Sequence, residues 1–220
     1  MKSQKFERLN TMQGAIFDLD GTLLDSMGMW SQIDVEFLAK RGIALPSDYQ
    51  DAVTPLGALD AAHYTIARFG LSDTPEDLMA EWEEMSFCHY RDDILLKPYA
   101  LEYVKALHAR GIPITIATSS AYKSVYAACE RTNLLRYIRR IVTVADVGKT
   151  KEHPDIYLAC AEETGCAPHA CAVYEDIIEG VHTAVKAGFF TVGILEPGYS
   201  QQEQIRKEAD CVIHSFAELL

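Results

Sequence analysis

Basic residues are scarce in this sequence. Twenty lysines and arginines stand against 32 aspartates and glutamates, a net charge of −12 over 220 residues. Nucleic-acid binding rests on neutralising phosphates with Lys and Arg, so DNA or RNA would be repelled on average. The densest basic group, Arg136, Arg139 and Arg140, reads as a solvated helix end. No apolar run reaches the length of a membrane span, so no membrane partner is expected. No apolar segment follows Lys2, Lys5 and Arg8 before the polar Asn10-Thr11, as a secretory leader would require. The six cysteines include no Cys-x-x-Cys pair, which leaves zinc and thioredoxin-like chemistry without support. Scattered thiols without an export signal fit a reduced cytoplasm and small packing roles. His63, His89, His108, His169, His182 and His214 fall at no metal-ligand spacing. A monomeric cytoplasmic protein is expected.

What is present is a rhythm. Apolar runs at Gly14–Leu19, Pro113–Thr118, Ile141–Val144, Cys171–Tyr174, Phe190–Leu195 and Cys211–His214 read as buried strands. Between them lie stretches of helical spacing: Tyr99–Ala109 ahead of Gly111, Ile156–Glu163 behind Pro154-Asp155, and Ile177–Ala187 ahead of Gly188. Strands alternating with helices predict a parallel sheet covered on both faces. One block breaks the rhythm. Residues 26–95 show helical patterning only, with helices expected over Ser26–Arg41, Leu56–Phe69 and Thr74–Arg91. The block carries 13 acidic residues and only Lys40, Arg41, Arg68 and Arg91 as cations. The expected fold class is α/β, a Rossmann-like parallel sheet core (residues 1–25 and 96–220) with an inserted α-helical cap domain (26–95).

Parallel α/β sheets bind ligands beyond the carboxyl ends of their strands. The first strand runs into Asp18-Leu19-Asp20-Gly21-Thr22, the second ends in Thr118-Ser119-Ser120, Lys151 follows the third, and the fourth ends in Glu175-Asp176. Carboxylates, a hydroxyl and an ammonium would then meet at one edge, a set suited to phosphoryl transfer. Cations offset the charge of the transferring group, and Mg²⁺ takes oxygen ligands such as Asp18 and Asp176. A carboxylate nucleophile divides one displacement into two through an aspartyl-phosphate. A second carboxyl two residues on can protonate the leaving oxygen and then activate water. Thr118 with Ser119-Ser120 behind it reads as a phosphate nest. An EF-hand is excluded because Gly21 falls at loop position 4 rather than 6, and Gly148-Lys149-Thr150 lacks the earlier glycine of a P-loop. Lys149 competes with Lys151 as the phosphate ligand; the distance to Pro154-Asp155-Ile156-Tyr157 favours Lys151.

The run Phe17-Asp18-Leu19-Asp20-Gly21-Thr22-Leu23-Leu24-Asp25-Ser26 resembles the first motif of the haloacid dehalogenase superfamily, in its phosphatase and β-phosphoglucomutase-like branch. Three further motifs follow in order: Ile116–Ser120, Lys151–Tyr157, and Val173–Asp176 with Gly180 and Ala187-Gly188. The resemblance implies that Asp18 is the nucleophile and Asp20 the general acid/base, which also offers its backbone carbonyl to Mg²⁺. It implies that Thr118 and Lys151 hold the phosphoryl group, and that Asp176 binds the metal with Glu175 assisting. The helical block would be a mobile cap, and the substrate a small phosphorylated metabolite. Glu152-His153 stands where Pro-x is usual, Ile177 where serine is common and Tyr99 where glycine is frequent. The resembling mutases carry a histidine five residues after the aspartate matching Asp25, and Trp30 stands there. Hydrolysis of a phosphomonoester is the expectation; a sugar-phosphate mutase or a non-catalytic phosphate-binding module is the alternative. A dehalogenase needs neither Asp20 nor Asp176, and a phosphonate-cleaving relative would have to use Lys40.

Overall fold

The computed structural model describes residues 7–54, 56–196 and 201–220. They divide into two compact units: the residues up to Ser26 together with Leu95–Leu220, and Met27–Ile94.

In the first unit, β1 (Gly14–Phe17), β2 (Ile114–Thr118), β3 (Ile138–Thr143), β4 (Cys171–Glu175), β5 (Phe190–Ile194) and β6 (Cys211–Ile213) form one sheet in the order β3-β2-β1-β4-β5-β6. Every pairing is parallel. Strands β1, β2, β4 and β5 are buried at every position. Both of their faces are covered, which is why they read as continuous apolar runs rather than alternating ones. The edge strand β3 differs, beginning at Ile138 rather than at Ile141. Its exposed Arg139 and Arg140 sit inside the strand, so these two form a charged sheet edge, while Arg136 alone ends a short 3-10 helix. Charge at an edge discourages pairing with another chain. The reversal after β2–β1 makes β1 and β4 neighbours, and Phe17 pairs with Tyr174 in register. Their rings stack at 4.1 Å, and the Tyr174 hydroxyl bonds that of Tyr103 at 2.6 Å. The residues that follow these two rings, Asp18 and Glu175, therefore emerge side by side.

The second unit holds α1 (Met29–Lys40), α2 (Tyr49–Val53), α3 (Ala58–Phe69) and α4 (Pro75–Asp92), and no strand among its described residues. Helix α4 opens on a reciprocal capping box between Thr74 and Asp77, the signature legible in Thr-Pro-Glu-Asp. Helix α1 starts three residues later than its apolar spacing predicts. Asp25 and Ser26 are otherwise engaged, the Asp25 amide with Leu95 O at 2.9 Å and the Ser26 hydroxyl with Asp20 at 2.7 Å. Helix α2 was not visible as a pattern in five residues. It is held by Tyr49, which is buried and bonds Thr65 Oγ1 at 2.7 Å.

Candidate active site

Asp18 continues the β1 ladder by one bond, its amide donating to Tyr174 O at 2.9 Å. The chain then turns back on itself. Gly21 adopts φ 80°, a left-handed conformation that favours glycine, and its amide reaches Leu24 O at 3.0 Å. This turn leaves Asp18 in the interior and Asp20 half-buried beside it.

Asp18, Lys151 and Glu175 are 5%, 4% and 1% exposed. The Lys151 ammonium lies between two carboxylates, donating to Asp18 Oδ1 and, at 2.6 Å, to Glu175 Oε1. Burial works against that ammonium, but Asp18 and Glu175 outweigh it and hold its pKa above the usual lysine range. Asp18, Glu175 and Asp176 each present an oxygen within 4.8 Å of the others. Two of these three carboxylates thus pair directly with Lys151. Burial raises Asp18 well above the usual carboxylate range, opposed by Lys151. Burial and then Glu175 push Asp176 up to about 7, opposed by Lys151 and Lys97. Two buried oxygens, Asp18 Oδ2 and Glu175 Oε2, have no hydrogen-bond partner among the described residues. Unsatisfied anionic oxygens beside a third carboxylate fit a hard divalent cation, which takes oxygen ligands and offsets their repulsion.

Asp20 stands apart from this cluster. Ser26 donates to its Oδ1 and Ser120 to its Oδ2, both at 2.7 Å, so its side chain is directed to hydroxyls and not to the other carboxylates. Thr118 is buried, and its Oγ1 accepts from the Ser120 amide at 3.1 Å. Ser119 between them is exposed. Lys149 is exposed and pairs with Asp155 at 2.9 Å, so Lys151 is the lysine that reaches the site. Glu152 and His153 lie exposed in the turn after it and displace no site group.

Some participants carry no signal by composition. Tyr157 is fully buried, and its hydroxyl donates to Glu175 Oε1 at 2.6 Å. Gly180 leaves the room this requires: a Cβ there would lie 2.6 Å from Glu175 Cδ and from Tyr157 Oη. Lys97 acts on Asp176 from a distance while paired with Glu196. Tyr157 and Gly180 both stand in the resembling motifs, but nothing in the sequence pairs either of them with Glu175.

A family model of the haloacid dehalogenase-like hydrolases matches residues 12–188. The chain is 28% identical to hexitol phosphatase A of Escherichia coli, over 94% of this chain and 93% of that protein. It is likewise 28% identical to the phosphoglycolate phosphatase of the same organism, over 98% and 93%. Its fold superposes with a TM-score of 0.86 on a Thermotoga maritima protein assigned as a β-phosphoglucomutase, at 20% identity over 95% and 97% of the two chains. With four ordered motifs meeting at one edge of a parallel sheet, this chain belongs to the haloacid dehalogenase-like hydrolases.

Proposed function

We propose that the protein is a Mg²⁺-dependent phosphatase of small phosphomonoesters that works through an aspartyl-phosphate on Asp18. The observation that carries this reading is the buried Asp18 carboxylate, with one oxygen on Lys151 and the other without a hydrogen-bond partner among the described residues, beside Glu175 and Asp176. A carboxylate withheld from water and kept on a cation is a poised nucleophile. Its attack on phosphorus forms the aspartyl-phosphate as the ester P–O bond breaks. The departing alkoxide takes a proton from Asp20, whose carboxyl is oriented by Ser26 and Ser120. A water then attacks the phosphoenzyme, giving a proton back to Asp20 and releasing phosphate. Lys151, Thr118 and Ser119 hold the phosphoryl oxygens. Asp18, Asp176, Glu175 and the backbone carbonyl of Asp20 would hold Mg²⁺, which when bound supplies positive charge to the transferring group. The helical unit acts as a cap that excludes water. The protein works as a cytoplasmic monomer.

The second reading is a sugar-phosphate mutase, favoured by the fold of the Thermotoga maritima neighbour. A mutase must hold a bisphosphate, and the helical unit is poorly equipped for one. Its net charge is −9, and each of its four cations is already paired within the unit: Lys40 and Arg41 with Glu81, Arg41 with Asp73, Arg68 with Asp48, Arg91 with Asp92. Trp30, at the place of the mutase histidine, cannot exchange a proton. The same pairing favours neutral sugar or polyol esters over an ester that carries a second anion, such as phosphoglycolate. The deciding experiment follows phosphate release from a panel of monoesters with Mg²⁺ and with chelator, and incubates the protein with β-glucose 1-phosphate and a trace of the bisphosphate. Free phosphate should appear only with Mg²⁺. Glucose 6-phosphate forming faster than free phosphate would replace the phosphatase reading with the mutase; no turnover of any ester would leave a binding module.

A further inference from the structure

Glu175 is an unevenly bonded carboxylate. Among the described residues both of its donors, the Lys151 ammonium and the Tyr157 hydroxyl, meet Oε1 at 2.6 Å, while Oε2 is buried with none. A phenylalanine at position 157 would fill nearly the same volume in the core around Ile156, Cys160 and Phe189, so packing alone does not call for the hydroxyl. Packing also does not call for a vacancy at Gly180, where any side chain would strike both Glu175 and the Tyr157 hydroxyl. Strand β4 supplies the carboxylate, α8 (Asp155–Thr164; α5 to α7 being Ala100–Ala109, Tyr122–Arg131 and Val144–Val147) supplies the phenol, and α9 (Ile178–Lys186) supplies the space. Three elements converge to fix one side chain.

We infer that Tyr157 is a positioning residue of the cation site. Its hydroxyl, with Lys151, anchors Glu175 by one oxygen, so that the other stays available to the metal beside Asp18 and Asp176. A phenol is neutral throughout the working pH range, so the hydroxyl remains a donor to Glu175. Without the hydroxyl, Glu175 can turn and give both oxygens to Lys151, which takes negative charge away from the cation site. This inference rests on the Mg²⁺ reading above, and partners that orient metal ligands from behind typically contribute about 10- to 100-fold to metal affinity.

The test is the Tyr157→Phe variant of the full chain, with Mg²⁺ binding followed by titration calorimetry and thermal unfolding recorded in excess chelator. The expected result is a Kd for Mg²⁺ raised by about 10-fold or more, with a cooperative unfolding transition retained. The Mg²⁺ concentration for half-maximal activity should rise in parallel, while kcat at saturating Mg²⁺ changes far less. Wild-type binding matched within twofold by the variant would overturn the inference and leave the metal reading intact. Wild-type protein that binds no Mg²⁺ would overturn both. A variant without a cooperative transition would assign the hydroxyl to the core and overturn the inference too.

Discussion

On the proposed mechanism the chemistry centres on a single side chain, Asp18, which is also crowded by Glu175 and Asp176. Asp18→Asn keeps the shape and removes the proposed nucleophile, so phosphate release should fall by more than about 1,000-fold, as for removal of other essential nucleophiles. No phosphoenzyme sensitive to hydroxylamine should form, and activity above a few per cent of wild type would unseat Asp18. The crowding of carboxylates also sets a pH dependence. Asp176 stands at about 7 in the folded protein, against about 3.9 for an unperturbed Asp. Between those values the folded state binds more protons than the unfolded one, so stability falls as pH rises. Its contribution is complete below pH 4 and is lost on passing through 7; Asp18, also raised, acts in the same direction. In excess chelator, Tm should therefore drop between pH 5 and 8, and saturating Mg²⁺ should restore most at the alkaline end. A Tm that climbs across that window in chelator would contradict the crowded site.

At the scale of elements, two positions depart from the family pattern at helix starts. Tyr99, preceding Ala100–Ala109, has φ 65° and is 52% exposed. A left-handed conformation costs a non-glycine residue about 1–3 kcal/mol, while glycine forfeits about 0.5–1 kcal/mol through its freer unfolded chain. Tyr99→Gly should be neutral or stabilise by up to about 1–2 kcal/mol on these figures, with activity unchanged; urea unfolding that shows a loss beyond 1 kcal/mol would refute the account. Ile177 caps α9 with extended backbone and no side-chain bond. Ile177→Ser offers a capping hydroxyl to the amides of the first turn and should stabilise by about 0.5–1 kcal/mol. An unchanged or lower denaturant midpoint would show that the buried part of Ile177 outweighs the cap.

The whole molecule carries −12, and its proposed substrates are anions. Their encounter is opposed by a field that salt screens over about 10 Å at 0.1 M. With Mg²⁺ saturating, kcat/KM should rise a few-fold as ionic strength goes from about 0.01 to 0.15 M, the reverse of proteins that attract phosphates with a basic surface. A fall over that range would imply a local positive funnel that outweighs the net charge.

Strand identity, the parallel sheet and Asp18, Thr118, Lys151, Glu175 and Asp176 were legible because fully covered strands are continuously apolar and their polar residues gather where those runs stop. Strand β3 was read short because its outer half is an exposed, charged edge, where burial imposes no apolar pattern. The sequence by itself determined which chemical groups this protein has and that they lie at strand ends. Only the tertiary structure decided which groups touch: that Lys151 is shared between Asp18 and Glu175, that Asp20 is held by two serines, and that Tyr157 reaches Glu175 through the space left by Gly180. Those contacts join residues 6 to 133 positions apart in the chain. They depend on strand order and on side-chain direction, and neither leaves a mark on local hydrophobic periodicity.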